Sequence, residues 1–391
     1  MAEVQGHVAA GFERVAEVFR SNFDERGEVG AAISVVRDGE VLVDLWGGQA
    51  DREAGRPWVD DTLSVVFSCT KGLMAACFLV LEDRGLDLDA PIRTWWPELR
   101  STASLRQLLN HRAGLSVLDA KLSVEDFLAG GEAALRAAEA QEPVWSPGAD
   151  QGYGATALGV VAGELFLRIA GRSVGVFLAD ELAGPLEAEA WIGLPAEQQD
   201  RVATLYKPTR GGFRSLVPEL HKSAEGRAYR DLLFRKGSLT HRALSNPKDL
   251  GLAGLHNYNR AEVRALELPW CNGVASARGL STIMGMLATG GTWAGRRFVS
   301  EARVQALAKP QSWAMDRVLY REQGFAQGFV KEAPPIFSVN PEGFGHPGAG
   351  GSVAWADPVA GLGIGYVMNQ MSPRIRSRRC QRVCEAVYAC V

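Results

Sequence analysis

Residues 63–81 read Leu-Ser-Val-Val-Phe-Ser-Cys-Thr-Lys-Gly-Leu-Met-Ala-Ala-Cys-Phe-Leu-Val-Leu. The first five, Leu63 to Phe67, form an apolar, strand-like approach. Residues 72–83 continue as an apolar run that predicts a buried helix. Between them lies Ser68-Cys69-Thr70-Lys71. On a helix, positions three apart share a face one turn apart. Lys71 then sits beside the Ser68 hydroxyl and helps to deprotonate it, which makes Ser68 an activated nucleophile. The same spacing recurs once, at Ser245-Asn246-Pro247-Lys248. There the proline spoils a helix and the segment reads as a turn.

Outward from this stretch, strand signals lie at both ends of the chain. Residues 31–37 and 41–46 are apolar runs joined by Asp38-Gly39, a strong hairpin signal. Before them, residues 1–20 read as an amphipathic helix with Val8, Phe12, Val15 and Phe19 on one face. Helical spacing fills 105–110, 125–139 and 155–170. Late strands are predicted at 324–331, 351–356 and 362–368, with a turn at Ala356-Asp357-Pro358 and a closing helix over about 374–389. Residues 203–273 mix Pro, Gly and charge with Tyr206, Phe213, Tyr229, Phe234 and Trp270. They read as a lid over a site or as an extended helical linker. Strands at both ends must pair in one sheet. The expected fold is therefore α/β of the α+β kind: a mainly antiparallel sheet flanked by terminal helices on one face, plus an inserted all-helical lobe. Residues 1–66 and 262–391 make the sheet part. Residues 67–261 make the helical part, with 203–261 as the possible lid, and a site falls in the cleft between them.

At 391 residues the chain can bury a large core without staples. Its 47% hydrophobic and 22% charged content excludes wholesale disorder and collagen. A net charge of −3 argues against a nucleic-acid partner. No apolar run reaches membrane-spanning length, and residues 1–20 lack a basic segment followed by an apolar one. The expected location is cytoplasmic, without a membrane partner. The six cysteines, Cys69, Cys77, Cys271, Cys380, Cys384 and Cys390, form no Cys-x-x-Cys pair and read as reduced thiols, not metal ligands. No metal or cofactor is expected. The glycine-rich stretch from Gly345 to Gly351 lacks the Lys-Ser/Thr of a phosphate loop.

Other segments share a pattern with Ser68 and Lys71. Trp145-Ser146-Pro147-Gly148 precedes Gln151-Gly152-Tyr153-Gly154, just before a predicted helix. Gly345-His346-Pro347-Gly348-Ala349-Gly350-Gly351-Ser352 leads into a strand, and its glycines allow close backbone approach. Leu108-Leu109-Asn110-His111-Arg112-Ala113-Gly114-Leu115 and the segment from Asn272 to Leu280 complete the series. In order and spacing, over nearly the whole chain, these segments resemble the class C β-lactamase-like serine hydrolases, nearest the branch of family VIII carboxylesterases and their transacylase relatives. The resemblance implies a β-lactamase/transpeptidase-like fold. It implies that Ser68 attacks the acyl carbon and that Lys71 and Tyr153 share the base and acid work. It also implies that the backbone N–H groups of Ser68 and Ala349 form an oxyanion hole, with His346 and Gly348 on the substrate. Two positions depart from the β-lactamase pattern: Ala155 stands for an Asn and His346 for a Lys. These bear on recognition of a β-lactam carboxylate and not on acyl transfer. His346, neutral at pH 7, is expected to donate one hydrogen bond to a substrate oxygen.

The expected activity is hydrolysis of a carboxylic ester or amide through an acyl-Ser68 intermediate. Its partners are a small-molecule acyl donor and water. The alternative is transfer of the acyl group to an amine or alcohol acceptor, and a further one is a silent binding protein on the same fold. His111 is assigned a structural hydrogen bond. His7, His221, His241 and His256 have no partners at metal or triad spacing. The arginines at 374, 376, 378, 379 and 382 read as a solvated helix face, and Asn369 as an ordinary strand end.

Overall fold

The computed structural model describes residues 3–209, 211 and 214–391. Its main strands are β1 (Val4–Val8), β2 (Gly30–Arg37), β3 (Glu40–Asp51), β4 (Ser312–Met315), β5 (Glu322–Ala326), β6 (Phe329–Lys331), β7 (Phe344–Pro347), β8 (Val353–Asp357) and β9 (Leu362–Met368). They form one antiparallel sheet in the order β1-β3-β2-β9-β8-β7-β6-β5-β4, and Arg56–Pro57 pairs with β3 as its tenth strand. The helices that matter for the site are α1 (Glu13–Arg26), α2 (Cys69–Asp83), α3 (Ala155–Ala170), α4 (Ala277–Ala288) and α5 (Arg378–Tyr388).

The β2–β3 turn places Asp38 and Gly39 at φ of 50° and 87°, the left-handed pair a two-residue hairpin needs. At the sheet's centre β2 pairs with β9 from Ala31↔Met368 to Arg37↔Leu362, so early and late residues meet there. Helices α1 and α5 cover one face. Val15, Phe19, Val383 and Val387 pack with Ile33, Val35 and Tyr366 of the sheet. Helix α4 covers the other face and sits directly on β9. A Cβ on Gly363 would lie 2.3 Å from Gly285 N, and one on Gly365 would lie 2.2 Å from Ala277 O. Helix α2 is buried continuously from Cys69 to Val80, which explains its unbroken apolar sequence. Among the described residues no helix is long and apolar enough to cross a membrane.

Several expectations need correction. The first helix starts at Glu13, not within residues 1–8. Val4–Val8 instead extend the sheet along β3, and Gly11 at φ 91° breaks the chain before α1. Val15 and Phe19 keep their predicted inward face. The run 324–331 is a hairpin, not one strand, because Gln327 and Gly328 turn at φ of 52° and 88° and pair Ala326 with Phe329. The run 125–139 is two helices, Val124–Leu128 and Glu132–Ala140, parted by Gly130 and Gly131 at φ of 103° and 78°. Strands β4 and β7 add to the late strands that were expected.

The arginines near the end are not a solvated face. Arg374 pairs with Glu219, Arg376 with Glu332 and Arg379 with Glu28, and each carboxylate compensates the burial of its partner. Only Arg378 and Arg382 of the five are exposed. Residues 203–273 are not an extended linker. They fold into short helices, including Ala224–Phe234, Leu239–Leu244 and Ala261–Ala265, stacked beside the cleft. Phe213 lies outside the described residues.

Candidate active site

The backbone entering α2 is held by residues 273–275 and by the first turn of α2. Ser64–Val65 pairs with Val274–Ala275, and Val66 N–H bonds Gly273 O at 2.8 Å. Phe67 then adopts φ 48°, a strained value for a bulky residue. Thr70 steadies that turn: its hydroxyl donates to Phe67 O and accepts Gly273 N–H at 2.9 Å. The turn presents Ser68 at the helix N-cap.

Lys71 Nζ lies 3.2 Å from Ser68 Oγ, and Tyr153 Oη donates to the same oxygen at 2.8 Å. Lys71, 2% exposed, also donates to Trp270 O at 2.7 Å. Sequence reasoning missed that carbonyl, because a backbone acceptor carries no residue signature. Asn272 could have pointed to it. Its buried amide ties the Trp270 loop through Val263 O, Leu266 O and Leu268 N–H.

Tyr153 reaches Ser68 on the loop before α3. Gln151 fastens that loop to Gln323 O and Ser312. His111 takes its expected structural role. Its carbonyl accepts Gly152 N–H, its Nδ1 accepts Gly154 N–H at 3.1 Å, and its ring lies 4.7 Å from the Tyr153 ring. Burial, then nearby Lys71, holds the His111 imidazole well below its usual range, so it stays neutral with its proton on Nε2.

Strand β7 and the turn after it form the opposite wall. His346 is buried, and its pKa is pulled down to about 3 by burial and by Lys71. Its Nδ1 bonds Pro347 O at 2.8 Å, and a ring nitrogen bonded to a carbonyl must carry the proton. Nε2 is thus an unprotonated acceptor with no partner among the described residues. This overturns the expectation that His346 donates to the substrate: the neutral ring has one N–H, already spent. Gly348 gives its N–H to Ser352 O, and a Cβ there would strike Val66 O at 2.3 Å, so its glycine permits close approach of the two walls. Cys69, also missed, bridges the same walls by donating to His346 O at 3.1 Å. Burial pushes its pKa up to about 12, so it remains a thiol. The N–H groups of Ser68 and Ala349 find no acceptor among the described residues.

Ser68, Tyr153, His346 and Ala349 line one cavity of about 560 Å³. Residues 224–258 supply much of its apolar wall, including Leu232, Leu244, Leu250 and Tyr258, and Phe67 and Trp270 line it too. Asn369 does not line it; the side chain ties β9 to Gln49 O and Ala50 O.

The Beta-lactamase family model matches residues 15–385. Over 373 residues the chain is 32% identical to the esterase/beta-lactamase LipL of Mycobacterium tuberculosis, covering 92% of this chain and 81% of that protein. Among solved structures, a family VIII carboxylesterase superposes with a TM-score of 0.88 at 33% identity. A penicillin-binding protein homologue from Caulobacter crescentus does so with 0.85 at 33% identity, and both cover 100% of each chain. A match across nearly the whole chain, around a serine held by lysine and tyrosine, has one consequence: the chain belongs to the Beta-lactamase family, as a serine hydrolase.

Proposed function

We propose that the protein hydrolyses a carboxylic ester or amide of a small molecule through an acyl-Ser68 intermediate. The observation that carries this reading is the approach of Tyr153 Oη and Lys71 Nζ to one serine oxygen, at 2.8 and 3.2 Å, beside a mainly apolar cavity. Ser68 Oγ attacks the acyl carbon while its proton passes to the Lys71–Tyr153 pair. The carbonyl oxygen gains negative charge, and the N–H groups of Ser68 and Ala349 donate to it. Their lack of other acceptors supports this role. Collapse of the tetrahedral intermediate breaks the bond to the alcohol or amine, which leaves with the proton held by the pair. Water then attacks the acyl-serine by the same route, releasing the acid and restoring the Ser68 hydroxyl.

A second reading, transfer of the acyl group to an amine or alcohol, is favoured by the apolar wall from residues 224–258, which leaves water few partners. One experiment addresses both. A simple aryl ester is supplied with and without an amine, and the products are identified. Acid as the sole product supports hydrolysis, and amide formation supports transfer. Ser68→Ala is expected to lose activity by several orders of magnitude. Mass spectrometry of a slow substrate should find its acyl mass on the Ser68 peptide. An adduct elsewhere overturns the assignment.

A further inference from the structure

The cavity that holds Ser68 is not apolar throughout. Glu225, Arg321, Glu322, Gln323 and Arg376 line it as well. Arg321 differs from the others. Its side chain is 24% exposed, yet its guanidinium donates no hydrogen bond to a described residue, and its Nε is fully buried. Its single ion-pair contact within 4 Å among the described residues is Glu332 Oε1, at 3.9 Å. A guanidinium carries five N–H donors, and buried donors without acceptors are costly.

The neighbouring acids are already engaged. Glu332 Oε1 accepts Arg376 Nε at 2.6 Å. Glu225 accepts Ile375 N–H at 2.9 Å and pairs with Arg374 at 3.5 Å. Asp316 Oδ1 accepts the N–H groups of Val318 and Leu319 at 2.9 and 2.8 Å. Among the described residues Asp316 Oδ2 and Glu332 Oε2 accept no hydrogen bond, so the network has not closed on Arg321. Burial and the adjacent Arg376 pull the Arg321 pKa down to about 10, and the charges of Glu332, Glu225 and Asp316 offset this only in part. His346 cannot supply charge to a substrate, because it is neutral and presents an acceptor.

We propose that Arg321 receives a carboxylate carried by the substrate, so that the enzyme prefers compounds joining an apolar body to a free carboxylate. A planar carboxylate matches the guanidinium fork, and a charge-assisted, bidentate pair is the strong kind. For turnover this rests on the Ser68 reading above; for binding it does not.

The test has two arms. In the first, phenol release is compared between phenyl hydrogen adipate and phenyl methyl adipate. The carboxylate ester is expected to show at least tenfold higher kcat/KM, mainly through KM. Arg321→Gln should bring that ratio near one, and Arg321→Lys should restore part of it. In the second arm, calorimetry measures 4-phenylbutanoate and 4-phenylbutanamide binding to the Ser68→Ala protein. The carboxylate should bind at least tenfold more tightly, and adding Arg321→Gln should erase the difference. A wild-type ratio near one, retained preference in Arg321→Gln, or equal binding of acid and amide each overturns the proposal. Should Arg321→Gln fail to fold, the acid–amide comparison in Ser68→Ala still decides it. Absent phenol release with the binding preference intact would sink the Ser68 reading and leave Arg321 standing.

Discussion

Ser68 Oγ lies within hydrogen-bond reach of Lys71 Nζ and Tyr153 Oη, and that nitrogen is 5.0 Å from the Tyr153 ring centroid. Groups this close should fail together. Tyr153→Phe and Lys71→Ala are each expected to lower kcat by ~10²–10⁴-fold, with the double variant little worse than either. Steady-state kinetics at saturating ester measure this, and multiplicative losses would mean separate roles. His346 is expected to add no inflection to the pH profile of kcat/KM between pH 5 and 9, since its pKa is held at about 3. His346→Asn should therefore keep the profile's shape, whatever its height. The closeness of Ser68 and Lys71 was legible because side chains at helical spacing have a local signature, whereas Tyr153 was singled out only through the family resemblance. The Trp270 carbonyl, the Cys69 bridge and Arg321 were not legible. Each acts through residues distant in the chain, and the His346 tautomer is set by a backbone oxygen.

Elements follow the same division between local and distant causes. The β2–β3 hairpin, α3 and β9 were legible from Asp38-Gly39, the 3.6 period and a continuous apolar run. β1 was misread because Val4–Val8 become a strand only by meeting β3. β7 was not expected because Gly345, His346 and Pro347 carry no strand signature and become a strand only by pairing with β8. The contact of α4 with β9 depends on missing side chains. Gly365→Val should thrust two methyl groups toward Ala277 O and cost about 1–3 kcal/mol or more, the range for overpacking. Denaturant unfolding monitored by tryptophan fluorescence reads this as a lower midpoint with an unchanged slope.

Across the whole molecule, opposed buried titrations shape stability. Folding lowers His346 to about 3 and takes His111 well below 6.5. Below pH 6.5 the unfolded chain binds protons that the folded chain refuses, so stability falls as pH drops toward 3. Asp316 works the other way. Burial raises it from 3.8 to about 6, so its contribution is full below about pH 4 and is lost as pH rises through 6. The two histidines are expected to lower stability at pH 4.5 relative to pH 7. Melting temperatures at pH 7 and 4.5 check this. The gap between them should widen in Asp316→Asn and narrow in His346→Gln.

The pairing of β2 with β9 sets a schedule for biosynthesis. After Arg37 leaves the ribosome, 362 − 37 = 325 further positions must be added before Leu362, its partner, exists. At ~5–20 residues per second that wait is roughly 16–65 s. Meanwhile β2 has β3 along one edge and a bare edge on the other, with apolar side chains on both faces. The nascent chain is a ready template for strand exchange with its neighbours on the same message. Slower initiation, which spaces the ribosomes, should therefore raise the yield of soluble enzyme more than slower elongation does.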